Sequence, residues 1–271
     1  MKGVKLGLIG DPVDHSLSPV MMRAALRARG LEGDYHLLPT PARLLGERLD
    51  EVRADFRGVN VTVPHKRRVM DRLDAVEPEA RRVGAVNVIV NEGGRLVGHN
   101  TDAAGFYRAL ERADALPGEA LVLGAGGAAR AVVHALVSAG WLVGVHNRTL
   151  ERAQRLVEEL GGWLVVPGKL EKAVRRTPML INATSVGLGD PNASPLPEGW
   201  LPEAGVVVDL VYAPLETRLL REARAAGLRT LDGLGMLLGQ GALAFELWTG
   251  QPAPEAAMEA VLREEATRWK P

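Results

Sequence analysis

Residues 120–140 read "ALVLGAGGAARAVVHALVSAG", and the fold turns on how they are read. An apolar run ends at Gly124. Gly126, Gly127 and the small Ala129 follow, and then an apolar segment of helical length. The pattern is a strand, a glycine turn and a helix. In such a unit the first glycine allows the tight bend, the second lets main chain approach a pyrophosphate, and a small third residue lets the helix pack on the strand. The helix N-terminus then presents backbone N–H groups to the anion. Glycine-rich turns occur in many α/β proteins. The position of this one, between a clear strand and a clear helix, makes it a dinucleotide signature.

The next strand and helix, "LVGVHNRTLERAQRLVEEL" (142–160), bear on which dinucleotide. A unit that binds NAD places Asp or Glu at this strand tip to hold the ribose 2′-hydroxyl. Here the tip carries Asn147, Arg148, Thr149 and Arg152 and no carboxylate. Two guanidiniums suit a 2′-phosphate, which favours NADP. The plainer alternative is an Asn helix cap beside solvated arginines.

Outward from this unit the chain alternates short apolar runs with helical segments, the mark of α/β architecture. Strands are expected at 4–10, 35–38 and 58–63. The stretches 86–90 and 95–100 form a hairpin about "NEGG" (91–94). Helices are expected at 19–29, 65–73 and 103–112. After the break "DALPGE" (114–119), further strands fall at 179–184 and 206–212 and a helix at 215–226. The tail, 236–271, is helical apart from 249–254. The resulting division is an N-terminal α/β substrate domain over 1–102, a Rossmann-type doubly wound dinucleotide domain over 103–235, and C-terminal helices over 236–271 that return to the first domain.

Composition narrows the function. The 271 residues carry 33 basic and 33 acidic side chains, so no sequence-wide charge draws the chain to nucleic acid or anionic lipid. No apolar run reaches membrane-spanning length, and "MKGVKLGLIGDP" reads as a first strand rather than a signal peptide. The expected location is cytoplasmic. Cysteine is absent, which excludes disulfides and thiolate chemistry, and the six His show no metal-ligand spacing.

Against 27 Arg the chain has 6 Lys, and between Lys5 and Lys169 the single lysine is Lys66, in "GVNVTVPHKRRV" (58–69). The two residue types are near-equivalent as surface charge. They differ where a proton must be released, because guanidinium does not titrate in proteins. Other polar residues also stand out. "HSLSP" (15–19) offers Ser16 and Ser18, on one side if the chain is extended, and Ser18 before Pro19 also reads as a helix N-cap. "GHNTDAAG" (98–105) places Asp102 at a helix start, where an acid also compensates the dipole. "LLGQGALAF" (237–245) places Gln240, one of three Gln, in an apolar helix start.

The ordered set "GDPVDHSLSP", "GVNVTVPHK", "GAVNVI", "GHNTDAAGF", "LGAGGAARA", "NRTLER", "NATSVG", "VVDLVY" and "DGLGMLLGQGA" closely resembles the shikimate dehydrogenases, over almost the whole chain. These are NADP-linked enzymes that reduce 3-dehydroshikimate to shikimate in aromatic amino-acid biosynthesis. The resemblance implies that Ser16 and Ser18, helped by Tyr212, bind the substrate carboxylate, and that Thr62, Asn87 and Gln240 hold ring hydroxyls. It makes Lys66 and Asp102 the catalytic pair. It places Gly124, Gly126, Gly127 and Ala128 on the pyrophosphate turn, and Asn147, Arg148, Thr149 and Arg152 on the adenosine phosphate. Thr184, Gly233 and Met236 fall near the nicotinamide. The partners implied are small molecules, with the chain a monomer or homodimer. The rival readings are a quinate/shikimate dehydrogenase that uses NAD or NADP, and a non-catalytic NADP-binding sensor.

Overall fold

The first strand, β1 (Val4–Gly10), buries Leu6, Leu8 and Ile9 and has a neighbouring strand on each side. The computed structural model describes residues 3–268. From β1 the chain passes through α1 (Ser18–Ala28), β2 (Gly33–Pro39), α2 (Leu45–Asp55), β3 (Gly58–Val61), β4 (Ala75–Val76), α3 (Pro78–Val83), β5 (Val88–Glu92) and β6 (Arg95–His99) to α4 (Asp102–Arg112). It continues through β7 (Glu119–Leu123), α5 (Gly127–Ser138), β8 (Leu142–His146), α6 (Leu150–Leu160), β9 (Trp163–Leu164), α7 (Pro167–Arg176), β10 (Met179–Asn182), β11 (Val206–Asp209), α8 (Arg218–Ala225) and β12 (Arg229–Leu231). Two helices close it, α9 (Leu234–Thr249) and α10 (Glu255–Arg268). Among the described residues no helix is long and apolar enough to cross a membrane.

The chain forms two compact units. One comprises the residues up to Gly105 together with Leu237–Glu265, and the other is built on Phe106–Met236. The first unit holds the sheet β2-β1-β3-β5-β6-β4. β1 pairs in parallel with β2 and β3, whereas β5 runs antiparallel to β3 and to β6. The carboxyl ends of β1, β3 and β6 and the start of β5 therefore share one edge of the sheet. The loops that leave this edge carry Ser16, Thr62, Lys66, Asn87 and Asp102. The hairpin β5–β6 turns through Gly93 and Gly94, and Asn91 Oδ1 accepts from Gly94 N–H at 2.7 Å.

The second unit holds the sheet β12-β11-β10-β7-β8-β9, parallel throughout. The chain starts at central β7, runs out to β9, then returns to build β10, β11 and β12 on the other side. This is the doubly wound dinucleotide-binding order, whose ligand lies at the carboxyl ends of the strands flanking the reversal, here β7 and β10.

Some expected elements differ. Residues 65–73 are not an α-helix but a turn ending in a short 3₁₀ segment, Met70–Arg72. Lys66 C=O accepts from Val86 N–H at 2.7 Å, and Met70 N–H bonds Arg67 C=O instead, so the i→i+4 ladder stops there. Helices α2, α3 and α7 and strands β4, β9 and β12 were not expected. α2 buries Leu45, Leu49 and Val52 and is otherwise largely charged, so its apolar signal is thin. The expected tail helix ends within the described residues at Arg268, and positions 269–271 lie outside them.

Within the first unit α4 and α9 touch backbone to backbone. A Cβ on Gly105 would lie 2.4 Å from Gln240 N, and one on Gly239 would lie 2.7 Å from Gly105 O. Gly105→Ala should therefore lower stability by about 1–3 kcal/mol, the scale of core overpacking. Urea unfolding followed by tryptophan fluorescence measures this. A midpoint equal to the parent's would contradict the contact.

Candidate active site

Four of the expected residues meet in one hydrogen-bonded cluster in the first unit. Lys66 Nζ donates to Asp102 Oδ2 at 2.5 Å, with side chains 15% and 5% exposed. Asn87 Nδ2 donates to Asp102 Oδ1 at 2.9 Å and to Thr101 Oγ1 at 2.9 Å. Gln240 Oε1 stands 3.4 Å from the same nitrogen, and Gln240 Nε2 donates to Leu237 C=O at 2.9 Å. Asn87 Oδ1 accepts from Thr101 N–H at 2.7 Å. With both amide hydrogens engaged, Asn87 can offer a ligand only an acceptor lone pair.

Local sequence explains how the cluster is held. Asn100 Oδ1 accepts from Ala103 N–H at 3.2 Å in the first turn of α4, and its Nδ2 donates to Ala85 C=O at 2.9 Å. That bridge ties the start of α4, and so Asp102, to the segment leading into Asn87. Thr62 precedes Lys66 on the same turn, with its C=O accepting from His65 N–H at 2.9 Å. His65 is fully buried, its Nε2 lying 2.6 Å from Thr40 C=O. Thr101, Asn100 and His65 were not singled out from the sequence. The scarcity of asparagine, seven in the chain, was a signal that could have found Asn100.

The serine pair is arranged differently from the extended expectation. Ser18 is buried at the first position of α1, and Leu17, which caps nothing with its side chain, occupies the N-cap. Ser16 Oγ accepts from Ser18 N–H at 3.2 Å, so Ser16 rather than Ser18 satisfies a helix-start donor. The pair makes no hydrogen bond to the lysine cluster among the described residues.

In the second unit Gly124 has φ +118°, and a Cβ there would lie 2.8 Å from Ala183 O, so the turn admits only glycine. Gly126 is the N-cap of α5, and a Cβ on it would meet nothing within 4 Å. Gly127 and Ala128 open the helix, whose first-turn N–H groups have no partner within the helix. The open space above Gly126 and these donors suit a pyrophosphate. At the tip of β8 Asn147 Nδ2 donates to Thr149 C=O at 2.8 Å, and Thr149 is the N-cap of α6. Asn147 is therefore not the cap. Arg148 and Arg152 are exposed and make no ion pair among the described residues, so both guanidiniums are available to a phosphate. Thr184 and Tyr212 are half-buried in the loops after β10 and β11, while Gly233 and Met236 are buried beyond β12.

One strongly shifted carboxyl lies below these loops. Burial pushes Asp209 up to about 6, against hydrogen bonds from Thr217, Val211 and Asn182 that pull it down. A raised value in the folded state means that its favourable contribution is complete below about pH 4 and is lost as pH rises through about 6. Asp209→Asn should thus gain on the parent by up to about 3 kcal/mol between pH 4 and pH 7. The comparison with the parent removes His99, whose burial lowers its value and gives the opposite slope. Urea unfolding across pH measures the difference, and a gap that does not change with pH would contradict it.

A glycine-turn parallel sheet and a buried Lys–Asp–Asn–Gln cluster, each on its own unit, define a dinucleotide-dependent dehydrogenase. Sequence models for the "Shikimate dehydrogenase substrate binding domain" match residues 8–89, for "Shikimate / quinate 5-dehydrogenase" residues 109–187, and for the "Shikimate 5'-dehydrogenase C-terminal domain" residues 233–263. A curated shikimate dehydrogenase (NADP(+)) of Thermus thermophilus is 55% identical over 96% of this chain and 98% of its own. The crystal structure of a Thermus thermophilus shikimate 5-dehydrogenase in complex with NADP(H) and shikimate superposes with TM-score 0.91 at 53% identity, covering 96% and 99% of the two chains. Quinate dehydrogenase from Corynebacterium glutamicum in complex with NAD superposes with TM-score 0.88 at 33% identity, covering 97% and 99%. The chain belongs to the shikimate dehydrogenase family.

Proposed function

We propose that this chain interconverts 3-dehydroshikimate and shikimate with NADPH and NADP⁺, in the cytoplasm and as a monomer or homodimer. The buried Lys66–Asp102 pair, clamped by Asn87, is the observation that carries the reading. NADP supplies or takes up the hydride when bound. Gly124, Gly126, Gly127 and Ala128 would hold its pyrophosphate and Asn147, Arg148, Thr149 and Arg152 its adenosine phosphate, with Thr184, Gly233 and Met236 on the nicotinamide side.

The chain's own residues handle the proton and the ring. In the oxidising direction the Lys66 amine takes the proton from the reacting hydroxyl; in reduction its ammonium returns that proton to the carbonyl oxygen. Asp102 accepts from Lys66 and aims it. Asn87 accepts from a ring hydroxyl through its remaining lone pair, and Thr62 and Gln240 hold further hydroxyls. Ser16, Ser18 and Tyr212 take the carboxylate. An extra ring substituent, as in quinate, has to fit the same set.

Reduced-nicotinamide absorbance with shikimate or quinate, each supplied with NADP⁺ and with NAD⁺, tests the assignment. Shikimate with NADP⁺ should be the fastest pair. Faster turnover of quinate with NAD⁺ would favour the quinate enzyme instead, and no turnover of either would leave a binding protein.

Three variants test the roles. Lys66→Arg keeps the charge but cannot release a proton, so kcat should fall by about 10²–10⁴ while substrate still binds. Retention of kcat within about threefold would reduce Lys66 to an electrostatic anchor. Arg148→Asp should weaken NADP use by at least about 1.5–3 kcal/mol, with NAD use much less affected. Equal losses with both cofactors would remove Arg148 from the 2′-phosphate. Ser18→Ala should raise the shikimate KM up to about tenfold with the NADP KM nearly unchanged. It is the cleaner serine test, because Ser16→Ala also deletes the bond to Ser18 N–H. An unchanged shikimate KM would take Ser18 out of the carboxylate site.

A further inference from the structure

The proposed mechanism leaves one buried carboxylate without a task. Asp209, at the end of β11, is fully buried and has no cation within ion-pair distance among the described residues. Its Oδ1 accepts from Asn182 Nδ2 at 2.9 Å and from Val211 N–H at 3.0 Å, and its Oδ2 accepts from the Thr217 hydroxyl at 2.7 Å. Asn182, at the end of β10, is fully buried as well. Its Oδ1 accepts from Thr184 N–H at 3.1 Å and from the Thr184 hydroxyl at 2.7 Å. Its Nδ2 donates to Val186 C=O at 3.1 Å, and Val186 N–H donates back to Thr184 Oγ1 at 3.0 Å.

Hydrogen bonds thus run from one carboxylate into two loops. One, after β10, carries Thr184; the other, after β11, carries Tyr212. Gly233 packs against the base of the second loop, where an added Cβ would lie 2.3 Å from Leu210 O. Both loops leave the carboxyl ends of strands on the side of β7 where an open parallel sheet takes its ligand. Burial of an uncompensated carboxylate is unfavourable, as its raised value of about 6 records. The carboxylate reaches the loop after β10 through Asn182 and the segment after β11 directly at Val211 and Thr217, so it acts on both.

We infer that Asp209 is a positioning residue for the nicotinamide end of the cofactor, fixing the Thr184 loop through Asn182 and the Tyr212 loop through Val211 and Thr217 without touching the cofactor itself. The inference rests on the proposed placement of Thr184 beside the nicotinamide. An amide can do the same work. Asn at this position keeps an acceptor for Asn182 and Val211, and its Nδ2 can donate to Thr217 Oγ1. Leucine, of similar size, can do neither.

Calorimetric titration of the whole protein with NADP⁺ and with 2′,5′-ADP, which carries the adenosine 2′-phosphate but no nicotinamide, separates the two ends of the cofactor. Asp209→Leu should weaken NADP⁺ binding by about tenfold and leave 2′,5′-ADP within about twofold, because hydrogen bonds to a charged group on this scale are at stake. Asp209→Asn should keep both ligands within about threefold and hold the shikimate KM, whereas Asp209→Leu should also raise the shikimate KM, because the loop it frees carries Tyr212. Where Asp209→Leu does not fold, Asn182→Ala carries the same expectation, since it cuts the relay to Thr184 and leaves Asp209 in place. Equal weakening of both ligands in the leucine variant would reveal only a damaged unit and overturn the inference. Unchanged NADP⁺ binding in Asp209→Leu, with weakened binding in Thr184→Ala, would overturn the positioning role alone. Unchanged binding in Thr184→Ala would overturn the nicotinamide-side placement on which it rests.

Discussion

The contact between Lys66 and Asp102 is the constraint around which the first unit is arranged. Two opposite charges sit largely out of water, 2.5 Å apart. Such a pair adds little net stability, because the desolvation of both ions roughly offsets their attraction, whereas removal of one partner costs about 3–5 kcal/mol. Its value therefore lies in placement. Asp102 has one oxygen engaged by Lys66 and the other by Asn87. Asn87 is in turn locked by Thr101, and Lys66 by the bond from Val86 N–H to its carbonyl. Segments following β3 and β6 and preceding β5 thereby fix one amine at one edge of the sheet.

The second unit uses a different physical device. Its glycine turn offers main-chain donors and empty space rather than a buried charge, and the two arginines at the tip of β8 are exposed. Exposed guanidiniums contribute little to stability. Their worth appears when a phosphate arrives, through charge-assisted hydrogen bonds. On the other side of β7, the Asp209–Asn182 bond joins the ends of β10 and β11 beneath the loops that follow them.

How much of this could be read from the sequence depended on the range of the interaction. The strand–turn–helix of 120–140 is local, and it appears as β7, Gly124 and α5. Lys66 and Gln240 stood out as rare residue types, Asp102 as an acid at a helix start, and Asn87 through the ordered motifs of the resemblance; the structure bonds all four together. Long-range competition was not visible. The segment 65–73 has a helical composition, yet a bond from Val86 to Lys66 C=O draws it off. Ser18 before Pro19 has the form of a cap, yet the chain enters α1 one residue earlier and Ser16 meets the donor. Asp209 stood within "VVDLVY" but was given no role, because its side-chain partners Asn182 and Thr217 lie 27 residues before and 8 after it.

The central claim is that Lys66 and Asp102 act as one unit in proton transfer, and a double-mutant cycle in kcat/KM for shikimate oxidation measures this most directly. Lys66→Ala removes the amine, and Asp102→Asn removes the charge that aims it while keeping an acceptor. If the two act as one, Asp102→Asn should lose most of its effect once Lys66 is gone, leaving the double variant within about threefold of Lys66→Ala alone. Losses that multiply would mean that the two side chains contribute independently, and would contradict the account.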